Sequence, residues 1–292
     1  MIHDRLSKVN MKSYVPITLG LLILSLLFVG FKVSSGTIPM SIDFKGGTLM
    51  TVYGYSDAQG LESEINERFG FAVTASSVTD FSTGNTFLRV EIEKPGGATL
   101  TGEEESRIKD LLVEKGVDRG DITIQSVGPF LSDRFLREAA KAVLFAFGFM
   151  AAVVFLRFRT YVPSIAVVLS ALSDIVVTVA VMILLGIELS LGTLVALLLL
   201  IGYSVDTDIM LTTRLLVKRT GTYTDRLAGA MMTGFTMTGT TLTAVFIFYF
   251  ATSSLILKEI ASVLVIGLVI DFINTWVQNT GILQWYLEGG GR

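Results

Sequence analysis

Residues 227–257 read LAGAMMTGFTMTGTTLTAVFIFYFATSSLIL, and no charged side chain interrupts them. A helix needs roughly 20 apolar residues to cross a hydrocarbon core of ~30 Å. This stretch is therefore long enough to span a membrane, and so is the uncharged stretch from Ser13 to Phe31. The surrounding chain agrees with that reading. Its 292 residues are 51% hydrophobic and only 17% charged, where a soluble chain is about a quarter charged. The composition excludes a wholly soluble enzyme, a coiled-coil rod and a disordered tail.

Applied along the chain, the apolar-run criterion predicts a first span at Tyr14–Phe31 and then, after a long polar block, five in close succession. These are Phe135–Leu156, Tyr161–Leu185, Ser190–Leu211, Gly229–Ala251 and Glu259–Leu283. The uncharged core of the second, between Lys141 and Arg157, is short and relies on both side chains snorkelling. The predicted organisation is a cytoplasmic segment 1–13, a first transmembrane helix 14–33, an external domain 34–130, a five-helix membrane bundle 131–286 and a cytoplasmic tail 287–292. The expected fold class is a membrane-embedded, all-α bundle of six transmembrane helices with an external α+β domain between the first two spans.

Orientation follows lysine and arginine in the short loops. Arg5, Lys8 and Lys12, then Arg157 and Arg159, then Arg214, Lys218, Arg219 and Arg226 fall on one side, and only Lys258 falls on the other. Both termini are expected in the cytoplasm and the polar block outside. Read instead as a cleaved signal peptide, the first span has a long apolar run and a weak cleavage site at Val33-Ser34-Ser35-Gly36.

The polar block is acidic. From Ser34 to Glu138 it holds 17 acidic and 10 basic residues, a local balance of −7, and it offers no basic stripe for nucleic acid. Strand formers run from Met40 to Tyr53, and Leu61, Ile65 and Phe69 recur every four residues in a helical segment from Asp57. Two strand-like runs, Val73–Phe81 and Thr86–Glu93, flank the hairpin signal Ser82-Thr83-Gly84-Asn85. Thr101 followed by Glu104 forms a capping box for a helix to Lys115, and Asp121–Val127 closes as a strand. The order is βαββαβ, a ferredoxin-like pattern. The block contains no phosphate loop, nucleophile elbow or dense carboxylate cluster, and Glu103-Glu104-Glu105 complements the macrodipole of its helix.

The chain has no cysteine and a single histidine, His3. Thiol catalysis, disulfides, cysteine-based metal centres and multi-histidine sites are excluded. No metal or cofactor is expected.

The informative residues are acids within apolar spans. Asp174 falls mid-way along the third span, Asp206 and Asp208 in the inner half of the fourth, and Asp271 near the middle of the sixth. Such residues cost several kcal/mol unless they face a bundle interior, where they mark ion or proton paths. Ser170 and Thr178 flank Asp174 by four, and Asn274 and Gln278 extend the stripe from Asp271. Thr233, Thr236, Thr240 and Thr243 share one face of the fifth span, so these spans are expected to enclose a polar seam. Asp206 and Asp208 are two apart and point in nearly opposite directions, so one lines the seam and the other sits nearer the interface with Arg214. The alternative is structural, with acids and threonines as packing glue between helices.

At this point the motifs resemble one family, SecF, the smaller partner of SecD in the SecDF protein-export complex. Asp43-Phe44-Lys45-Gly46-Gly47-Thr48 is similar to its signature after the first span, and Val127-Gly128-Pro129 to the one leading into the second. Ile201-Gly202-Tyr203-Ser204-Val205-Asp206 resembles its fourth-span signature, with Arg214 at the matching exit. The resemblance implies an RND-like bundle, a proton-driven role in late translocation, and pairing with SecD near the SecYE channel. Bacterial SecF has Asn-Asp where this chain has Asp206-Thr207, and an arginine in the fifth span where this chain offers Thr233. The Val-Asp-Thr-Asp pattern and Asp271 are similar to the archaeal branch.

The function expected is a non-enzymatic export auxiliary, with SecD, SecYE, the translocating polypeptide and membrane lipid as partners. Protonation of Asp206, the principal candidate, is expected to change helix packing and move the external domain. The alternatives are a subunit of an RND-type small-solute or lipid transporter, and a passive assembly scaffold.

Overall fold

The computed structural model describes residues 11–79, 84, 86–217, 220–252 and 254–289. His3, Arg5, Lys8, Lys218 and Arg219 lie outside the described residues, as do Phe81, Ser82, Thr83 and Asn85 of the expected hairpin and the last three residues of the tail.

A 3-10 turn at Met11–Tyr14 leads into α1 (Val15–Ser34), whose first turn contains Pro16, a position where the missing N–H costs nothing. The chain continues through α2 (Ile42–Lys45), β1 (Gly47–Tyr53), α3 (Ala58–Phe69), β2 (Ala72–Thr79), β3 (Thr86–Glu93), α4 (Gly102–Glu114) and β4 (Ile122–Val127). The remainder is helical: α5 (Pro129–Phe158), α6 (Tyr161–Leu185), α7 (Leu191–Thr212), α8 (Tyr223–Ala251), α9 (Leu255–Ile273) and α10 (Thr280–Glu288). Two π-helical segments interrupt it, Thr213–Val217 after α7 and Asn274–Asn279 between α9 and α10.

Two compact units result. One comprises Met40–Ala140 with Leu189–Leu191, and the other Lys141–Glu188 and the residues from Gly192 onward together with the N-terminal helix. In the first, the strands form an antiparallel sheet in the order β2-β3-β1-β4. Met50, Val52, Leu88, Val90 and Ile92 from the sheet share one core with Leu61 and Ile65 of α3 and Ile108, Leu111 and Leu112 of α4. The four-residue recurrence of Leu61 and Ile65 puts them on one helical face. Local chemistry sets the helix ends. The Asp57 carboxylate accepts the Gly60 N–H at 3.0 Å, and Gly70 closes α3 in the left-handed conformation at φ 69°. Thr101 and Glu104 form the full capping box of α4. The Thr101 backbone N–H, with help from Lys94 at 2.9 Å, pushes the Glu104 carboxyl down to about 2.

The strand expected from Met40 begins only at Gly47. Ser41 Oγ accepts the Asp43 N–H at 3.1 Å and starts one turn of helix, and Gly46 and Gly47, at φ 76° and 124°, swing the chain into β1. A Cβ on Gly46 would meet Gly97 O at 2.7 Å, and one on Gly97 would meet Lys45 O at 2.8 Å. Two backbones thus approach where no side chain fits. Half-burial of Lys45 works against its charge, but hydrogen bonds and attraction from Glu91, at 2.7 Å, and Glu93 hold its ammonium above the usual range.

Among the described residues, five helices are long and apolar enough to cross a membrane: Met11–Ser34, Pro129–Phe158, Tyr161–Leu185, Leu191–Val217 and Tyr223–Ala251. The helix Leu255–Ile273 is not one of them, since Lys258, Glu259 and Asp271 all fall within its 19 residues. Helix α6 is the most enclosed, with α1 and α9 packed against it and α8 packed on α9. Small residues allow the close crossings: Gly267 faces Leu200, Gly234 faces Trp276, and Gly281 faces Met11 and Val15. Ile17, Leu24, Leu27 and Phe31 of α1 and Leu144, Phe149 and Leu156 of α5 are exposed.

Candidate functional site

Three of the four membrane acids converge. Asp174 of α6, Asp208 of α7 and Asp271 of α9 are all completely buried. Their donors are hydroxyls and amides. Ser204 Oγ donates to Asp174 Oδ2 at 2.5 Å and Asn274 Nδ2 to Asp174 Oδ1 at 2.7 Å. Asn279 Nδ2 donates to Asp208 Oδ1 at 2.7 Å, and Thr275 Oγ1 lies 3.0 Å from the same oxygen and 3.3 Å from Asp271 Oδ1. Asp271 is close enough to interact electrostatically with both other carboxyls. Ser173 and Gln278 close the seam beside them at 3.0 Å.

Helical spacing explains the convergence. Ser204 and Asp208 are four apart on α7, so they share its buried face. In the π-helical segment, the wider turn buries Asn274, Thr275, Gln278 and Asn279 together. Asp206, half a turn from Asp208, is exposed, and so is Gly202 four residues before it. Among the candidates for the seam, Asn274 is in it. Thr236, Thr240 and Thr243 are exposed on α8, each donating to a carbonyl of its own helix. Thr233 donates to Gly229 O and accepts from Arg214, whose other nitrogen donates to Gly229 O at 3.0 Å. Ser170 and Thr178 are buried beside the acids without a hydrogen-bond partner for their hydroxyls.

Thr275 and Asn279 were not among the expected site residues. Their signal was present in the sequence, where Asp271, Thr275 and Asn279 recur every four residues, the spacing of one helical face. Chemically, a group of carboxyls in an apolar bundle, approached only by neutral donors, is suited to taking up and releasing positive charge. Among the described residues no three His, Cys, Asp or Glu side chains are placed to hold a metal ion.

Residues 107–289 match the family described as protein export membrane protein SecD/SecF, C-terminal. The chain is 40% identical over 286 residues to the protein-export membrane protein SecF of Methanolacinia petrolearia, covering 96% of this chain and 95% of that one. The chain belongs to the SecF family of protein-export membrane proteins. Its SecF relative in Methanocaldococcus jannaschii is also 40% identical, over 94% of this chain and 95% of the other. The crystal structure of SecDF, a translocon-associated membrane protein from Thermus thermophilus, has a similar fold, with a TM-score of 0.75 at 22% identity over 96% of this chain. The match covers 39% of that SecDF chain.

As a SecF family member the chain is a multi-pass membrane protein, and its motif residues have distinct placements. Asp43, Gly46 and Gly47 shape the entry to β1. Gly128 O accepts the Leu131 and Ser132 N–H groups at 3.0 Å and, with Pro129, opens α5. Ser204 reaches Asp174, while the Tyr203 hydroxyl is buried without a hydrogen-bond partner.

Proposed function

We propose that this chain is the SecF-type subunit that pairs with SecD beside the SecYE channel and uses proton-motive force to promote late translocation of polypeptides. The observation that carries the reading is the burial of Asp174, Asp208 and Asp271 together among neutral donors. One charge crossing 100 mV supplies ~2.3 kcal/mol, which is enough to bias a two-state element separated by a few kcal/mol. The subunit acts without enzymatic chemistry or a cofactor.

In this reading the run Leu255–Glu288 is the sixth span, its charges turned inward or towards its ends. The polar unit is a ferredoxin-like domain, supported by its β-α-β-β-α-β order and by the strand order β2-β3-β1-β4. It faces outward and both termini are cytoplasmic, as the placement of Arg157, Arg159, Arg214 and Arg226 supports. Lipid covers the exposed apolar faces, and SecD covers the side of α7 that carries Asp206.

The test is secretion by cells carrying Asp208→Asn, with and without an uncoupler. The expected result is an assembled subunit whose secretion is reduced and no longer responds to the uncoupler. Normal, uncoupler-sensitive secretion would sink the proposal. Asp206→Asn, measured in parallel, is expected to keep the three buried acids intact and to weaken secretion through the contact with SecD.

A further inference from the structure

The Thr275 hydroxyl serves two carboxyls at once. Its Oγ1 is 3.0 Å from Asp208 Oδ1 and 3.3 Å from Asp271 Oδ1, and the residue is completely buried. A hydroxyl has one proton and two lone pairs. It donates to one of these oxygens at a time and is free to accept from the other if that carboxyl is protonated.

The three acids are not equivalent. Asp174 has both oxygens occupied, by Ser204 and Asn274. On Asp208 both donors, Thr275 and Asn279, converge on Oδ1, and Oδ2 of Asp208 and Oδ2 of Asp271 have no hydrogen-bond partner. Thr275 lies four residues after Asp271 and four before Asn279, so all three fall on one side of their helix. The groups facing the cluster are Ser170, Asp174 and Thr178 from α6, Ser204 and Asp208 from α7, and Asp271, Asn274, Thr275 and Asn279 from α9 and the π-helical segment.

We infer that Thr275 is the hydroxyl through which a proton passes between Asp271 and Asp208. Protonated Asp271 donates its proton from Oδ1 to Thr275 Oγ1 as Thr275 gives its own proton to Asp208 Oδ1. One O–H bond breaks on Asp271 and one on Thr275, and one forms on Thr275 and one on Asp208. The net change is a single proton moved from one carboxyl to the other, with no further reactant. Thr275 is restored, its hydroxyl now turned to accept from Asp208. The inference rests on the proposal that the acid cluster is a proton site, and it names the path within that site.

The experiment uses full-length protein in native membrane vesicles with its partners. Proton uptake during translocation is read with a pH dye, and the carboxyl stretch of protonated aspartates is read by infrared difference spectroscopy after a pH step. Thr275→Val keeps the shape and removes the hydroxyl, and Thr275→Ser restores the hydroxyl. The expected result is proton uptake slowed by about 10² in the Val variant, with recovery close to wild type in the Ser variant. The Val variant is expected to keep the two carboxyl bands but to lose their coupled change. Wild-type uptake in the Val variant, or a Ser variant as slow as Val, overturns the relay. Thr275→Ala is measured beside them, and wild-type uptake there overturns it equally should the Val variant fail to assemble. Asp208→Asn separates the two levels. Slow uptake in Asp208→Asn with normal uptake in Thr275→Val removes only the relay, whereas normal uptake in Asp208→Asn removes the proton site and the relay with it.

Discussion

Asp43 and Leu191, 148 residues apart, are joined by a hydrogen bond in which Asp43 Oδ2 accepts the Leu191 backbone N–H at 3.0 Å. Leu191 is the first residue of α7, and its N–H is one of those that a helix cannot satisfy internally. A carboxylate there also complements the positive end of the helix dipole. Beside it the Ser41 N–H donates to Leu189 O at 2.9 Å, and Met40 forms a parallel bridge with Leu189. The acid of the signature after the first span thus satisfies the backbone of Leu191.

Replacing Asp43 with Ala is expected to cost about 1 kcal/mol of local stability. Backbone amides around Leu189–Leu191 should exchange with deuterium faster by about fivefold, the equivalent of that energy, and Asp43→Asn should retain most of the protection. Unchanged exchange in Asp43→Ala rejects this role.

Gly46→Ala and Gly97→Ala each add a Cβ where backbone stands within 2.8 Å, at a φ that suits only glycine. The expected cost is about 1–3 kcal/mol for the clash in addition to the strain. Gly54→Ala, at φ 75° with nothing within 4 Å, carries the strain alone. Thermal midpoints of the three variants should therefore place Gly54→Ala nearest to wild type.

Asp174→Ala removes the acceptor for two buried donors, Ser204 Oγ and Asn274 Nδ2. Each orphaned donor costs about 1–3 kcal/mol, so detergent-solubilised protein should melt clearly earlier. Asp174→Asn keeps an acceptor oxygen and should fall between the two. Equal melting of Ala and wild type means that these donors find other partners.

Glu104 gives a pH dependence of known sign. Its folded-state carboxyl is depressed to about 2 from 4.5 by the Thr101 N–H and by Lys94. Its contribution is present above the unfolded value and is lost as pH falls from about 4.5 to about 2. Glu104→Gln should therefore differ from wild type in thermal stability at pH 7, and the difference should shrink as pH drops through that window. A difference independent of pH means that the effect belongs to packing of the side chain.

Much of this architecture was legible in the sequence because it rests on local rules. Uncharged runs marked the helices of the membrane unit, and the Leu61, Ile65 spacing and the Thr101–Glu104 box marked α3 and α4. The turn at Ile42–Lys45 was missed because strand propensity at Met40–Lys45 yields to the Ser41 cap and the two glycines that follow. The site was half legible. Asp174, Asp208, Asp271 and Asn274 stood out as polar residues in apolar runs, but α-helical spacing alone did not decide between Asp206 and Asp208, because that depends on which face of α7 its neighbours cover. The threonines of α8 share a face as expected, yet each hydroxyl is satisfied within its own helix and needs no seam. Thr275 and Asn279 continue the four-residue spacing from Asp271, beside the stripe through Asn274 and Gln278 that was expected to extend from the same acid.

That wider turn has a consequence for comparing sequences. A turn closed from i to i+5 holds about one residue more than a turn closed from i to i+4, so the segment Asn274–Asn279 acts as a built-in insertion. Restoring a regular helix there while deleting one residue preserves the register, whereas restoring it with every residue kept rotates everything downstream by about 100°. Gly281 then turns away from Met11 and Val15, and Glu288 from Lys12, its ion-pair partner. A relative whose last helix is regular aligns with this one only across a single-residue gap, whereas a relative that aligns without a gap through residues 274–279 has room for the same wide turn.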